Sequence, residues 1–120
     1  MVVVGPLVGG ILDAVQNMKD DRRPSVWVVS ELPISHKLMP PEFLEDVKRS
    51  GSLMVVEEHV AHGGLGAMLA PLLLAMPTGL RQYVHHHARG YVSGLYGSQQ
   101  FHRRESGLDP ESILMALQRL

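Results

Sequence analysis

Short apolar runs recur along this chain, each followed by a turn and then by a segment whose apolar residues have helical spacing. The run at residues 25–30 (SVWVVS) is apolar on both faces. This is typical of a central strand in a parallel sheet, because helices cover both sides of such a sheet. Strand–helix alternation with short links predicts parallel strands joined by right-handed crossovers. The predicted strands are Val2–Val4, residues 25–30, residues 53–56 and a less apolar run at residues 82–87.

Helical spacing of the apolar residues predicts helices at residues 7–18, 41–49, 65–76 and 110–120. Gly51 is placed to end the second of them. Asp109 and Pro110 are the residue types preferred at the N-cap and at the first position of a helix. The expected fold class is α/β: a three-layer α/β/α sandwich with a mainly parallel four-stranded sheet. A chain of 120 residues is long enough for one domain, residues 1–120.

Composition excludes several classes of protein. With 45% hydrophobic and 19% charged residues, the chain has enough apolar surface to fold, which excludes a disordered protein. Its net charge of −1 gives no electrostatic footprint for nucleic acid. The absence of cysteine excludes disulfides and thiolate metal sites and fits a reducing compartment, so we expect a cytoplasmic protein. The longest uncharged apolar stretch, residues 63–76, is too short to span a bilayer, and we expect neither a signal peptide nor a membrane partner.

Two glycine-bearing turns each lie between a predicted strand and a predicted helix. Backbone amides at a helix start, together with the positive end of the helix dipole, suit an anion. Glycine equally serves tight turns and close packing of a helix on a sheet, and neither turn has the dinucleotide-binding spacing. Both interpretations stay open for the glycines of these turns, which are Gly5, Gly9, Gly10, Gly63, Gly64 and Gly66.

Glu57, Glu58 and His59 come at the carboxyl end of the third predicted strand, where open α/β sheets place their sites. A carboxylate beside an imidazole is able to do acid–base work. The alternative is a polar sheet edge or a subunit contact, and the sequence predicts no catalytic residue here. Further along, residues 85–87 are three histidines that alternate faces on a strand, which leaves too few ligands on one side for a metal site. Residues 103–105 (RRE) are interpreted as a solvated charged segment.

Five segments together resemble the C-terminal domain of the transketolase family, which also occurs in 2-oxoacid dehydrogenase beta subunits and deoxyxylulose-phosphate synthases. The most specific is a strand that ends in Glu-Glu-His and is followed within a few residues by Gly-Gly-Leu-Gly. The resemblance covers essentially the whole chain. The five segments are VVVG at 2–5, WVVS at 27–30, LMVVEEH at 53–59, GGLG at 63–66 and GLDPESI at 107–113.

The resemblance implies a non-catalytic role in assembly. In the family, two other domains hold thiamine diphosphate and Mg²⁺ between subunits, while this domain organises the assembly. The sequence lacks the family's Gly-Asp-Gly segment for metal and diphosphate, so we expect no cofactor binding by this chain alone. Glu57 and Glu58 match the C-terminal domain's own motif and not the glutamate that activates the cofactor. The expected partners are a second copy of the chain, a subunit that carries the thiamine-binding domains, or both.

The resemblance also implies the strand order second–first–third–fourth, without the antiparallel edge strand that family members usually have. The two glycine turns would then line one crevice, at the switch point between the first and third strands. An uncovered sheet edge favours association. The expected interface lies around the motif, at Glu57, Glu58, His59, His62, Gly63 and Gly64.

The sequence therefore leaves three functions open. The leading one is a supporting domain or subunit of a thiamine-diphosphate-dependent transketolase or 2-oxoacid dehydrogenase-type enzyme. The second is a stand-alone module that binds a small anion or nucleotide at the two glycine turns. The third is a pure dimerisation or interaction domain.

Overall fold

Parallel strands form a single sheet in the computed structural model, which describes residues 1–120 except for the side chain of Asp20. The strands are β1 (Val2–Val4), β2 (Trp27–Val29), β3 (Ser52–Val60) and β4 (Gln82–Ala88). Their order in the sheet is β2-β1-β3-β4, and each neighbouring pair is parallel. This confirms the predicted fold class and strand order. The described sheet is entirely parallel.

Helices cover both faces of the sheet. They are α1 (Val8–Gln16), α2 (Pro41–Ser50), α3 (Leu65–Leu74), α4 (Gln99–Ser106) and α5 (Pro110–Leu117). The C-terminus of α2 and the N-terminus of α5 have the geometry that the sequence predicts. Gly51 ends α2 with a positive φ of 65°, and the carboxylate of Asp109 accepts the Ser112 amide hydrogen at the start of α5.

Neighbouring strand residues point to opposite faces, and this divides the core into two layers. On one face, Val3 and Val56 are buried against α1 and α5, through residues such as Ile11 and Ile113. On the other face, Val2 and Val55 pack against α2 and α3; the helix residues buried there are Phe43, Val47, Leu65, Leu69 and Leu73. Each apolar strand run is therefore used on both sides, as a three-layer sandwich requires.

Two features depart from the sequence-based expectations. β3 does not end at residue 56: it continues to Val60 through an irregular register, so the Glu-Glu-His motif belongs to the strand itself. The second is α4, which the sequence did not predict: residues 103–105, interpreted as a solvated charged segment, lie in this helix, with Arg104 exposed and Arg103 and Glu105 partly buried. The Ser98 hydroxyl accepts the Phe101 amide hydrogen at the start of α4, and Gly107 ends the helix with a φ of 69°.

Within the described residues, each helix falls short of the length and apolar character that a bilayer span would need.

Candidate functional site

Glu57 is a buried carboxylate at the carboxyl end of the sheet, with 2% of its surface exposed. Its Oε2 accepts the amide hydrogen of Leu65, and its Oε1 accepts that of Gly66, each at 2.8 Å. These two amides belong to the first turn of α3, where a helix has no internal acceptors for its N–H groups. No side chain of the preceding loop caps α3. A carboxylate from the adjacent strand therefore takes that place, and its negative charge faces the positive end of the helix dipole.

The same carboxylate is also bound from β4. The Nε2 atom of His85 lies 2.6 Å from Glu57 Oε1, so the tautomer with a hydrogen on Nε2 donates to it. Two residues earlier in β4, on the same face as His85, the Tyr83 hydroxyl donates to the Gly66 carbonyl oxygen at 2.7 Å. Burial, and then the nearby Glu57 charge, raise the pKa of the Tyr83 hydroxyl above its usual range. These bonds join β3, α3 and β4 at one point.

Two glycines leave room for this network. A Cβ at position 64 would overlap the Glu57 carboxylate, and a Cβ at position 66 would overlap the His85 ring. Gly63 has a φ of 77°, a left-handed conformation that other residues rarely adopt. The Gly-Gly-Leu-Gly spacing thus has a structural explanation: one glycine makes the turn and two others admit the carboxylate and the imidazole.

Glu58, the next residue, points to the other side and holds α4. Its Oε1 accepts from Arg103 Nε at 2.7 Å and its Oε2 from Arg103 Nη2 at 2.9 Å. The amide of Gln99 donates to the same carboxylate. The hydrogen bonds from Arg103 lower the pKa of Glu58. Glu58 is therefore engaged within the chain and is not a free catalytic group.

The structure separates the remaining histidines. His59 and His62 are exposed beside the motif, and His59 Nδ1 lies 2.9 Å from the carbonyl oxygen of Val60. On β4, the rings of His85 and His87 are 4.8 Å apart, while strand alternation turns His86 to the opposite face. Burial, followed by the charges of His85 and His87, lowers the pKa of His86. No group of three or more His, Asp or Glu side chains in the described part of the chain is arranged to hold a metal ion.

The two glycine turns do meet at one cleft of about 270 Å³, beyond the carboxyl ends of β1 and β3. Gly5 and Pro6 form one wall, and Gly63 and Gly64 form the other. The sequence-based prediction of a shared crevice is therefore confirmed. At the second turn, however, the amides of Leu65 and Gly66 donate to Glu57 and are not available to a ligand.

The other predicted anion-binding glycines lie in the first turn of α1. A Cβ at Gly10 would be 3.4 Å from the ring of Pro110, so this glycine admits close packing of α5 on α1. A Cβ at Gly9 would meet nothing within 4 Å. The interpretation of glycine as a packing residue is thus favoured at Gly10, whereas Gly9 faces open space.

Large exposed apolar side chains lie at or beyond the carboxyl ends of three strands. Val60 is the last residue of β3, Leu32 follows β2 and the others follow β4, and parallel strands end at one edge of a sheet. The ring centroids of Tyr91 and Tyr96 are 5.5 Å apart, and Tyr96 is 90% exposed. Sequence analysis did not identify these residues, although two tyrosines, a leucine and a valine in a polar loop were a visible signal. We call this set the apolar rim: Leu32, Val60, Tyr91, Val92, Leu95 and Tyr96.

Comparisons of the chain with family models, with curated proteins and with solved structures returned no match.

Proposed function

We propose that this chain is a non-catalytic assembly domain or subunit of a thiamine-diphosphate-dependent enzyme of the transketolase or 2-oxoacid dehydrogenase type. One observation carries the proposal. Glu57 fills the amide site at the start of α3 from within the chain, and large apolar side chains are exposed at or beyond the carboxyl ends of β2, β3 and β4. Where other α/β sheets offer donors to a ligand, this one offers an apolar surface suited to another protein.

Thiamine diphosphate and Mg²⁺ belong, in this proposal, to partner domains. The cleft at the switch point is lined by Val4, Pro6, Leu32 and Leu65 beside the Glu57 carboxylate. A diphosphate would meet a like charge there and would find the two nearest amides already bonded. The residues present do not fit a diphosphate–metal group, and no chemical step is assigned to them.

The proposed assembly surface differs from the one expected from the motif. Glu57 and Gly64 are buried inside the chain and Glu58 is held by Arg103, so these residues are not available to a partner. Of the expected interface, His59, His62 and Gly63 are exposed. His59 is adjacent to Val60 of the apolar rim, and the rim's two tyrosines are of a residue type that often dominates binding energy.

The alternative of a module that binds anions or nucleotides at the glycine turns has less support, because Glu57 occupies the amides of the second turn. A pure dimerisation domain would use the same apolar rim. It differs from the proposed function only in having no thiamine-binding partner, which a larger complex purified from the source cell would reveal.

We expect the purified chain to form a homodimer through the apolar rim. A monomer of this shape has a Cα radius of gyration of 14.3 Å, and small-angle scattering should give a larger value, with twice the chain's mass by sedimentation. Tyr96→Ser combined with Leu95→Ser should shift the chain to monomer, because it removes two exposed apolar anchors.

The matched control is Leu74→Ser, at the end of α3, since Leu74 is 75% exposed but lies outside the apolar rim. It should leave the dimer intact. Gly64→Trp is not a suitable test, because the new side chain would collide with Glu57 and disturb the fold itself. A monodisperse monomer at high concentration, or equal effects of the rim and control substitutions, would contradict the proposal.

A further inference from the structure

A second concave site lies on another part of the molecule, between β4 and the segment that joins α4 to α5. Its volume is about 430 Å³, within the range of small-molecule sites. We call it the basic groove. The residues that matter for its chemistry are Arg89, Arg104, Glu105, Ser106 and Arg119.

The groove has an excess of positive charge, and one of its cations, Arg104, also interacts with the nearby Asp109 carboxylate. Across the described residues, the guanidinium groups of Arg89, Arg104 and Arg119 make no hydrogen bond and no ion pair. Glu105 is the acidic residue among the groove's lining residues. Three cations facing one carboxylate suit a ligand with about two negative charges, which is the charge of a phosphate monoester near neutral pH. Guanidinium groups also match phosphate oxygens in geometry.

Ser106 adds a buried hydroxyl group with spare donor capacity. It is 7% exposed, and its oxygen accepts the backbone N–H of Arg89 at 3.1 Å. Its own hydroxyl hydrogen is given to no acceptor within the described part of the chain. A hydroxyl in this state is able to donate to an oxygen of a bound anion.

Glu105 provides a hydrogen-bond acceptor in the same groove. Its side chain is only 17% exposed, yet its carboxylate accepts no hydrogen bond from any described residue. His102 Nδ1 lies 3.9 Å from Oε2, which is too far for a hydrogen bond. Oε2 is shielded from solvent, so a ligand hydroxyl would donate to Oε1, which is not among the shielded atoms.

From these contacts we propose that the basic groove binds a small phosphate ester that also carries a free hydroxyl group. The arginines and Ser106 receive the phosphate, and the Glu105 carboxylate accepts the hydroxyl hydrogen. This inference is independent of the proposed function, because the groove and the apolar rim share no residue.

The test is an NMR titration of the wild-type chain at low salt with glycerol 3-phosphate, n-propyl phosphate and glycerol. Saturable shifts are expected at the amides of Arg104 and Ser106 with both esters, with tighter binding of glycerol 3-phosphate and none of glycerol. Arg104→Gln should weaken the binding of both esters about fivefold or more, since it removes a charge-assisted contact. Arg22→Gln, which alters an exposed arginine outside the groove, is the matched control and should change neither affinity.

Glu105→Met separates the two parts of the proposal. Methionine has a similar length and no strong acceptor, so the preference for glycerol 3-phosphate over propyl phosphate should disappear. Binding of propyl phosphate should persist or strengthen, because the one acidic side chain among the described residues that line the groove is gone. Absence of saturable shifts in the wild type, or equal loss in Arg104→Gln and Arg22→Gln, would overturn the site. Equal affinity for the two esters in the wild type would overturn the assignment of the hydroxyl group.

Discussion

Replacing Glu57 with alanine is expected to lower the free energy of unfolding by about 3 kcal/mol or more, the largest loss we expect from any single side chain at this end of the sheet. The carboxylate is 2% exposed and accepts from Leu65, Gly66 and His85. Its removal leaves two backbone amides buried at the start of α3 without an acceptor. Urea denaturation followed by circular dichroism measures the change.

Two further substitutions test whether the destabilisation comes from the lost hydrogen bonds of Glu57. Glu57→Gln keeps the shape of the side chain but turns an NH₂ group toward one of the donors. Its free energy of unfolding should therefore lie between that of the wild type and that of Glu57→Ala. Glu58→Gln alters the adjacent carboxylate, whose pair with Arg103 is partly exposed, and should cost no more than about 1 kcal/mol. If Glu57→Ala and Glu58→Gln had equal effects, Glu57 would not be the capping group that holds α3.

Gly66→Ala is expected to destabilise the chain by about 2 kcal/mol or more, because the added methyl group would overlap the His85 ring. Intrinsic helix propensity acts in the opposite direction, since alanine is favoured over glycine inside a helix by about 1 kcal/mol. The steric effect should dominate, because the hydrogen bond to Glu57 fixes the His85 ring beside α3. Thermal or urea unfolding of the variant gives the sign directly.

Gly9→Ala provides the matched control, since Gly9 also lies in the first turns of a helix but has nothing within 4 Å of an added Cβ. Here only propensity acts, and the substitution should stabilise the chain by roughly 0.5–1 kcal/mol. Opposite signs at the two glycines are the expected pattern. A stabilising effect of Gly66→Ala would show that the His85 ring is not held against α3.

Sequence patterns predicted the layers of this fold because burial on both faces selects apolar runs such as Val2–Val4. Helix caps such as Asp109 were also predictable, because a cap acts within one turn of its own residue. α4 was missed for a physical reason. Its residues are mostly polar, and Ser98, Gly107 and the ion pair from Arg103 to Glu58 stabilise it in place of a broad apolar face.

The central contact of the site could not be predicted from sequence. Glu57 and the amides it binds are eight and nine residues apart along the chain, and His85 is twenty-eight residues away. Their meeting depends on the register of β3 and β4, which pairs Val55 with His85, and on the position of α3 above both strands. The motif correctly indicated where polar residues gather, but a buried cap and a catalytic carboxylate have the same residue types in sequence.

An amide-resolved NMR titration with inorganic phosphate tests most directly whether Glu57 occupies the anion site at the start of α3. The account predicts that the Leu65 and Gly66 resonances stay in place as phosphate is added to the wild-type chain, because their N–H groups already donate to Glu57. The Arg104 and Ser106 resonances in the basic groove provide an internal comparison within the same spectra. Saturable shifts of Leu65 and Gly66 in the wild type would contradict the account, since a bound anion would then have displaced the Glu57 carboxylate.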